Sequence, residues 1–378
     1  MRQEIAHVRA QAVHAEVDFA ELGVARRRTT AMCFVEIQTR EGITGHGFTY
    51  QFDSTVLAHL INKVVGPAIL GQDAMSHERV RQLMYWNLTG SGQSGLACLA
   101  MSGIDLALWD IKGKALNMPI WRLLGGARDR VPVYATLGLP MMTHEENAEM
   151  ARRLISRGFS TIKIQVGRIG PGGHQAGRPL IEILKKDIER IAGVREAVGP
   201  DVGIAIDGSC RFDLVHAAEL ARRAEPYHIA WYEEPLPEND PRLMAELRRL
   251  TSIPLTGGQT EGRMAHFRDM LLAGAVNMIQ PSVSVAGGIT QCVKIAAMAE
   301  AFHVPSIAGG AGCPYHSMHV QAGVPNGTWV EYQTSSARAS EQIYRGFPKI
   351  ENGMITLGEA PGLGFEPDYD AIADRVVT

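Results

Sequence analysis

The chain has 378 residues, 46% of them apolar and 20% charged, enough for one barrel-sized domain plus a smaller one. Against 37 Lys and Arg stand 40 Asp and Glu, so a formal net charge of −3 argues against nucleic acid as a partner and against an acidic disordered tail. Five scattered cysteines (Cys33, Cys98, Cys210, Cys292 and Cys313) form no Cys-x-x-Cys pair, and no run reaches the roughly 18 apolar residues of a membrane span; a soluble cytoplasmic protein without membrane contact is expected.

Residues 1–50 alternate apolar and polar side chains. The runs AMCFVEIQT and ITGHGFTY flank Arg-Glu-Gly, which predicts a hairpin. From about 54 to 124 the pattern is helical, and SGLACLAMSGIDLALWDIKGKAL carries apolar and small residues at the spacing of a buried helix. Residues 1–125 therefore read as a small α+β domain. Beyond 126 the rhythm is regular: VPVYAT, TIKIQV, VGIAID, IAWYE, IPLTGG, AVNMIQ, VPSIA and WVEY recur at intervals of about 25 residues, with helical patterns between them. Parallel βα units closing as a barrel over 126–351 are predicted, with an open doubly wound sheet as the alternative. The longest spacing, between Gln165 and Asp207, holds GRIGPGGHQAGRP, a candidate lid at the carboxyl end of a strand.

GSGQSG at 90–95 fits G-x-G-x-x-G in form only. The preceding RVRQLMYWNL reads as helix rather than strand, and Asp105 and Asp110 come too early for a ribose contact, so a loop before a helix is expected. The strand ends carry more chemistry. Asp207 closes VGIAID, Glu233 and Glu234 close IAWYEE, and Glu261 follows IPLTGGQ. In a parallel barrel such positions gather at the active-site face. Carboxylates brought together there repel unless a cation lies among them, and oxygen donors suit Mg²⁺. Solvated loop acids are the alternative reading of the same positions.

Several segments together resemble the enolase superfamily on its mandelate racemase and muconate lactonizing side. They are SGIDLALWDIKGKALNMPIWRLLGG, GFSTIKIQVG, AIDGS, WYEEPLP, IPLTGGQTEG, NMIQPSVSVAGGIT and PGLGFEPD, and they span essentially the whole chain. The resemblance implies a modified (β/α)₇β barrel with an N-terminal α+β cap, which residues of about 352–378 return to complete. It also implies proton abstraction next to a carboxylate, with the resulting enediolate stabilised on magnesium, and assembly as a homo-oligomer, a dimer or octamer. By the same resemblance Asp207 and Glu233 are metal ligands. The third position, a Glu in the family, is Gln259 here, with Glu261 two residues on as the other candidate.

The chain departs from the family at its bases. Of the paired lysines on the second strand only Lys163 remains, and Gln165 replaces the other. Ser282 stands where the sixth strand has Asp, and SIAGGAG, near Gly309, replaces the seventh-strand His. A two-base racemase is therefore not expected. The second strand is similar to that of mannonate dehydratases, where the following loop supplies the base; here that loop offers His174, Arg168 and Arg178. Lys163 is either catalytic or an ion-pair partner of Asp207 and Glu233. His316 and His319, three apart on one helix face, lack the i, i+4 spacing of a zinc helix, and His316 is a candidate acid–base replacement near the barrel mouth. Cys313 reads as packing. For substrate contact the candidates are Gln165, Glu331 at the end of the eighth strand, Tyr50 in FTYQFD, and Arg28, the last of Arg26, Arg27 and Arg28.

The expected function is Mg²⁺-dependent dehydration of an acid sugar or related hydroxy acid, which needs one base and one acid. A cycloisomerase or epimerase of a sugar acid or lactone is the first alternative. A ligand-binding protein without turnover is the second.

Overall fold

The computed structural model describes residues 2–49, 54–91, 94–137, 142–167, 179–309 and 314–377. The cap begins as an antiparallel meander of β1 (Ile5–Asp18), β2 (Arg27–Thr39) and β3 (Thr44–Thr49). The predicted hairpin is β2–β3, turning at Gly42 with φ +92°. Helices α1 (Ser54–Leu60), α2 (Gly66–Ile69), α3 (His77–Leu88), α4 (Leu96–Leu116) and α5 (Ile120–Leu123) follow. Buried α4 lies against β3 so closely that a Cβ at Gly47 would stand 2.0 Å from the Gly103 carbonyl. The small-residue stripe of α4 is what permits that approach. GSGQSG precedes α4, with Gly95 as its N-cap; its middle residues, 92 and 93, lie outside those described.

Regular β–α alternation then sets in: β4 (Arg130–Thr136), α6 (His144–Ser156), β5 (Thr161–Gln165), α7 (Leu180–Val198), β6 (Gly203–Asp207), α8 (Leu214–Ala224), β7 (Ile229–Glu233), α9 (Pro241–Leu250), β8 (Leu255–Gly257), α10 (Met264–Leu272), β9 (Met278–Ile279), α11 (Gly288–Ala301), α12 (Pro314–Gly323), β10 (Val330–Gln333) and α13 (Thr334–Ser340). Parallel pairing runs from β4 to β9 in chain order, and β10 pairs with the other side of β4. Pairing of the last strand with the first excludes an open doubly wound sheet. Between β9 and β10 the predicted strand VPSIA is reduced to Ser306, which bridges Ile279 on one side and Gly327 on the other. This is the expected fold, with its seventh strand shortened to a single bridging residue.

The segments after the barrel are β11 (Tyr344–Arg345), β12 (Ile350–Glu351), β13 (Met354–Thr356), β14 (Glu366–Pro367), α14 (Tyr369–Ala373) and β15 (Val376–Val377). β15 joins the cap, pairing with β1 at Ala12 and Val13. Cap and barrel are further tied by polar contacts. Arg26 makes a bidentate pair with Glu146, which also closes the capping box of α6 with Thr143. Buried Asp105 of α4 accepts from the backbone N–H and hydroxyl of Thr290 on α11. Inside the barrel, Tyr134, Ala205, Trp231 and Ile307 pack as an apolar layer. Strand alternation places the charged residues of β5, β6, β7 and β10 on one face of the sheet, with Asp207 and Glu233 as the last residues of β6 and β7.

Candidate functional site

Four parallel strands end in register. Gln165 of β5 lies opposite Asp207 of β6, Asp207 opposite Glu233 of β7, and Glu233 opposite Thr256 of β8. Lys163 stands at the centre of the group. Its Nζ is 2.5 Å from Glu233 Oε1, 2.9 Å from Glu331 Oε1 and 3.7 Å from Asp207 Oδ2, and 5.3 Å from the centroid of the Tyr134 ring. None of the four charged side chains is more than 4% exposed. Glu331 thus faces the group, and the Thr136 hydroxyl donates to its Oε1.

The electrostatics follow from burial and charge count. Burial opposes the charge on Lys163, but Glu233, Glu331 and Asp207 outweigh it and hold the ammonium protonated, well above the ordinary lysine range. Burial pushes the Glu233 carboxyl up, with Lys163 opposing and Asp207 reinforcing the shift. Three carboxylates against one ammonium leave a formal surplus of negative charge in a space closed to water. Glu331 Oε2 is buried and has no hydrogen-bond partner among the described residues.

Left-handed backbone surrounds the acids. Ser209 (φ +46°) and Cys210 (φ +60°) follow β6, and Glu234 (φ +39°) follows β7. Such conformations cost on the order of 1–3 kcal/mol each for a side chain other than glycine. They let Ser209 turn back on Asp207, donating from both N–H and hydroxyl to Oδ1 at 2.8 and 2.9 Å.

The loop after β8 places the two candidate third ligands differently. Gln259 Nε2 is 3.5 Å from Asp207 Oδ2, whereas Glu261 pairs with His266 at 3.7 Å. Gly309 lies three residues beyond Ser306, in a filled space. A Cβ there would meet Gln280 Cγ at 2.3 Å and Gln259 Cβ at 2.8 Å, so two glutamines fill that volume. Ser282, in the place of the sixth-strand Asp, shares a 3.0 Å hydrogen bond with Ser284.

Other expectations are corrected or fall elsewhere. His316 does not open onto the barrel mouth. It is fully buried between cap and barrel, stacked on Phe48 and edge-on to Tyr344 and Phe365. Burial, with His46 and His319 nearby, keeps it neutral, well below the usual histidine range. His319 donates from Nε2 to the Leu363 carbonyl at 3.1 Å. Arg28 is half-buried on β2 opposite Val17, while its neighbour Arg27 pairs with Glu16 and Asp18. Tyr50, Arg168, His174, Arg178 and Cys313 lie outside the described residues.

Residues not singled out from sequence complete the surroundings. Trp231 Nε1 donates to Glu233 Oε2 at 3.4 Å, and Gln280 Nε2 donates to the Tyr134 hydroxyl at 3.2 Å. Thr136 and Tyr134 sit at the carboxyl end of the first barrel strand, and that position was the available signal.

Residues 6–125 match the mandelate racemase / muconate lactonizing enzyme N-terminal domain, and residues 146–371 match the enolase C-terminal domain-like family. The chain belongs to the enolase superfamily. Within that superfamily it is 30% identical over 349 residues to the 3,6-anhydro-alpha-L-galactonate cycloisomerase of Streptomyces coelicolor, covering 91% of each chain. It is 31% identical over 339 residues to the arabinonate dehydratase of Saccharolobus solfataricus, covering 87% of this chain and 86% of the relative. The crystal structure of a racemase from Streptomyces coelicolor A3(2) with bound magnesium superposes with a TM-score of 0.86 at 28% identity, covering 99% of this chain and 100% of that one.

Among the described residues no three His, Cys, Asp or Glu side chains are grouped closely enough to hold a metal by themselves, and no helix is long and apolar enough to cross a membrane. The first fact does not exclude magnesium, which is commonly held by one or two carboxylates with water and substrate oxygens. The donor set is compatible with it: Asp207 and Glu233 are adjacent in register, the Gln259 amide, which also carries an oxygen, touches Asp207 through Nε2, and the cluster carries surplus negative charge.

Proposed function

We propose that this chain is a Mg²⁺-dependent dehydratase of an acid sugar, a cytoplasmic enzyme that acts as a homo-oligomer. The observation that carries the reading is the buried Lys163 ammonium ringed by Asp207, Glu233 and Glu331 at the carboxyl ends of the barrel strands. Relatives named as an arabinonate dehydratase and an anhydro-galactonate cycloisomerase support the substrate class.

Asp207 and Glu233 would hold the metal, with Gln259 as a neutral third donor. Bound there, magnesium supplies Lewis-acid stabilisation of negative charge on the substrate carboxylate. The chain's own groups do the rest. Lys163, fixed and protonated, sets a second positive charge where the carboxylate acquires electrons. The C–H bond next to the carboxylate breaks and its proton passes to a base, for which His174 is our assignment from the sequence. The neighbouring C–O bond breaks, and the hydroxide leaves as water by taking the proton that the base removed, with Glu331 on the other side of the Lys163 group. The enol that remains becomes a keto acid. Gln165, Tyr50 and Arg28 are proposed substrate contacts.

Ring opening by a cycloisomerase is the second reading, favoured by the relative that bears that name. The same proton leaves, but the C–O bond that breaks lies within the substrate, so no water is lost. A panel of sugar acids and lactones, incubated in D₂O with Mg²⁺ or with EDTA and followed by mass spectrometry, separates the readings. Metal-dependent loss of water supports the dehydratase, and isomerisation without water loss supports the cycloisomerase. Conversion undiminished by EDTA would overturn the metal assignment.

A further inference from the structure

Glu234, the second acid of the Glu-Glu-Pro run, does not join the Lys163 group. Its left-handed backbone turns the side chain away toward the loop after β8. There Oε1 takes hydrogen bonds from the Gly258 N–H (3.3 Å), the Thr260 N–H (3.2 Å), the Thr260 hydroxyl (3.0 Å) and Asn239 Nδ2 (2.9 Å). Its main chain serves two further strand ends. The Glu234 N–H donates to the Thr256 carbonyl at 2.9 Å, and its carbonyl accepts from the Cys210 N–H at 2.7 Å. The side chain is fully buried.

We infer that Glu234 is a positioning residue, which fixes Gln259 against Asp207 by gripping the residues on either side of it, Gly258 and Thr260. A single buried carboxylate oxygen receiving backbone donors from both flanks leaves the intervening residue little freedom to rotate away. The same residue, through Cys210, holds the turn that carries Ser209 back onto Asp207. It therefore sets the distance between two loops, one bearing a carboxylate and the other a neutral amide. The link to metal binding rests on the reading of the site given above; the grip on the loop does not.

The test uses the full chain and two readouts. Amide hydrogen exchange is followed at Gly258 and Thr260, and Mg²⁺ binding is titrated calorimetrically, in the wild type, Glu234→Ala, Glu234→Gln, Gln259→Ala and the Glu234→Ala/Gln259→Ala pair. In Glu234→Ala, exchange at both amides rises at least about tenfold and Mg²⁺ binding weakens by roughly 10–100-fold, as loss of a buried outer partner does. Glu234→Gln, which keeps an acceptor oxygen, recovers most of both. The pair binds Mg²⁺ no more weakly than Gln259→Ala alone, because both changes remove the same contribution. Unchanged exchange in Glu234→Ala, or losses that add in full in the pair, overturns the inference. If the wild type takes up no Mg²⁺ while exchange rises as stated, the positioning role stands and the metal reading of the site fails.

Discussion

Lys163 and Glu233 meet Nζ to Oε1 at 2.5 Å, with neither side chain more than 1% exposed. A buried pair of this kind adds little net stability relative to apolar residues of the same volume, because both ions lose their water. Its presence in the barrel is better explained by what it prepares. A fixed ammonium among carboxylates is a site already arranged for an anionic substrate and a divalent cation.

Lys163→Met tests that arrangement. Removing the ammonium leaves Glu233, Glu331 and Asp207 buried without a cation, and breaking a buried pair from one side costs about 3–5 kcal/mol. Urea unfolding should show a loss of that order, together with loss of turnover. Saturating Mg²⁺ should recover more stability in the variant than it adds to the wild type. Equal gains in the two proteins would mean that the ammonium and the metal do not share these carboxylates.

Gln259→Glu should tighten Mg²⁺ binding by roughly tenfold, since affinity for a hard cation grows with the charge of its oxygen ligands. Calorimetric titration measures it directly. An unchanged or weaker constant would remove Gln259 from the donor set.

Gly309→Ala should disturb activity more than folding. The new methyl is driven against Gln280 and Gln259, and overpacking of this kind costs about 1–3 kcal/mol. Because Gln259 is one of the two groups displaced, the concentration of Mg²⁺ for half-maximal turnover should rise while most of the protein stays folded. Thermal unfolding and Mg²⁺ titration of the same preparation check both parts.

Asp105 predicts a pH dependence at the cap–barrel contact. Burial pushes its carboxyl up to about 6 from 3.8, although the two hydrogen bonds from Thr290 pull it down. Between those values the unfolded chain releases its proton first, so the group's contribution is greatest below about pH 4 and is lost as pH rises through about 6. The difference corresponds to ~3 kcal/mol. Asp105→Asn abolishes this linkage. The stability of the wild type relative to the variant should therefore fall from pH 4 to pH 6 and level off above; denaturant unfolding at four pH values reads it. A relative stability that rises over that interval contradicts the assignment.

Periodicity in the sequence was sufficient for the βα units, because each carries its own apolar rhythm; the choice of barrel over open sheet came with the family resemblance. Even the seventh strand was visible as VPSIA, although only Ser306 makes bridges there. Asp207 and Glu233 were visible as strand-end charges, and Lys163 through the family resemblance of its strand. Their mutual distances were not, since these depend on the register of neighbouring strands. His316 misled for a definite reason. Position near a helix start fixes its height along the barrel, but whether it faces the interior or the cap depends on Phe48 and Phe365, each distant in sequence. The role of Glu234 was hidden in the same way: its neighbour in sequence points inward, while a positive φ sends its own side chain to another loop.

The pairing of β15 with β1 has a consequence for synthesis. Cap strand β1 is made before the barrel, yet on the side away from β2 Ala12 and Val13 find their partners in Val377 and Val376, after the whole barrel has been translated. Until then that side of the meander offers unpaired N–H and C=O groups to any other nascent chain, an opening for misassembly. Shortening the chain by the few residues of β15, far from any catalytic group, should therefore lower the yield of soluble protein before it alters the chemistry of what folds.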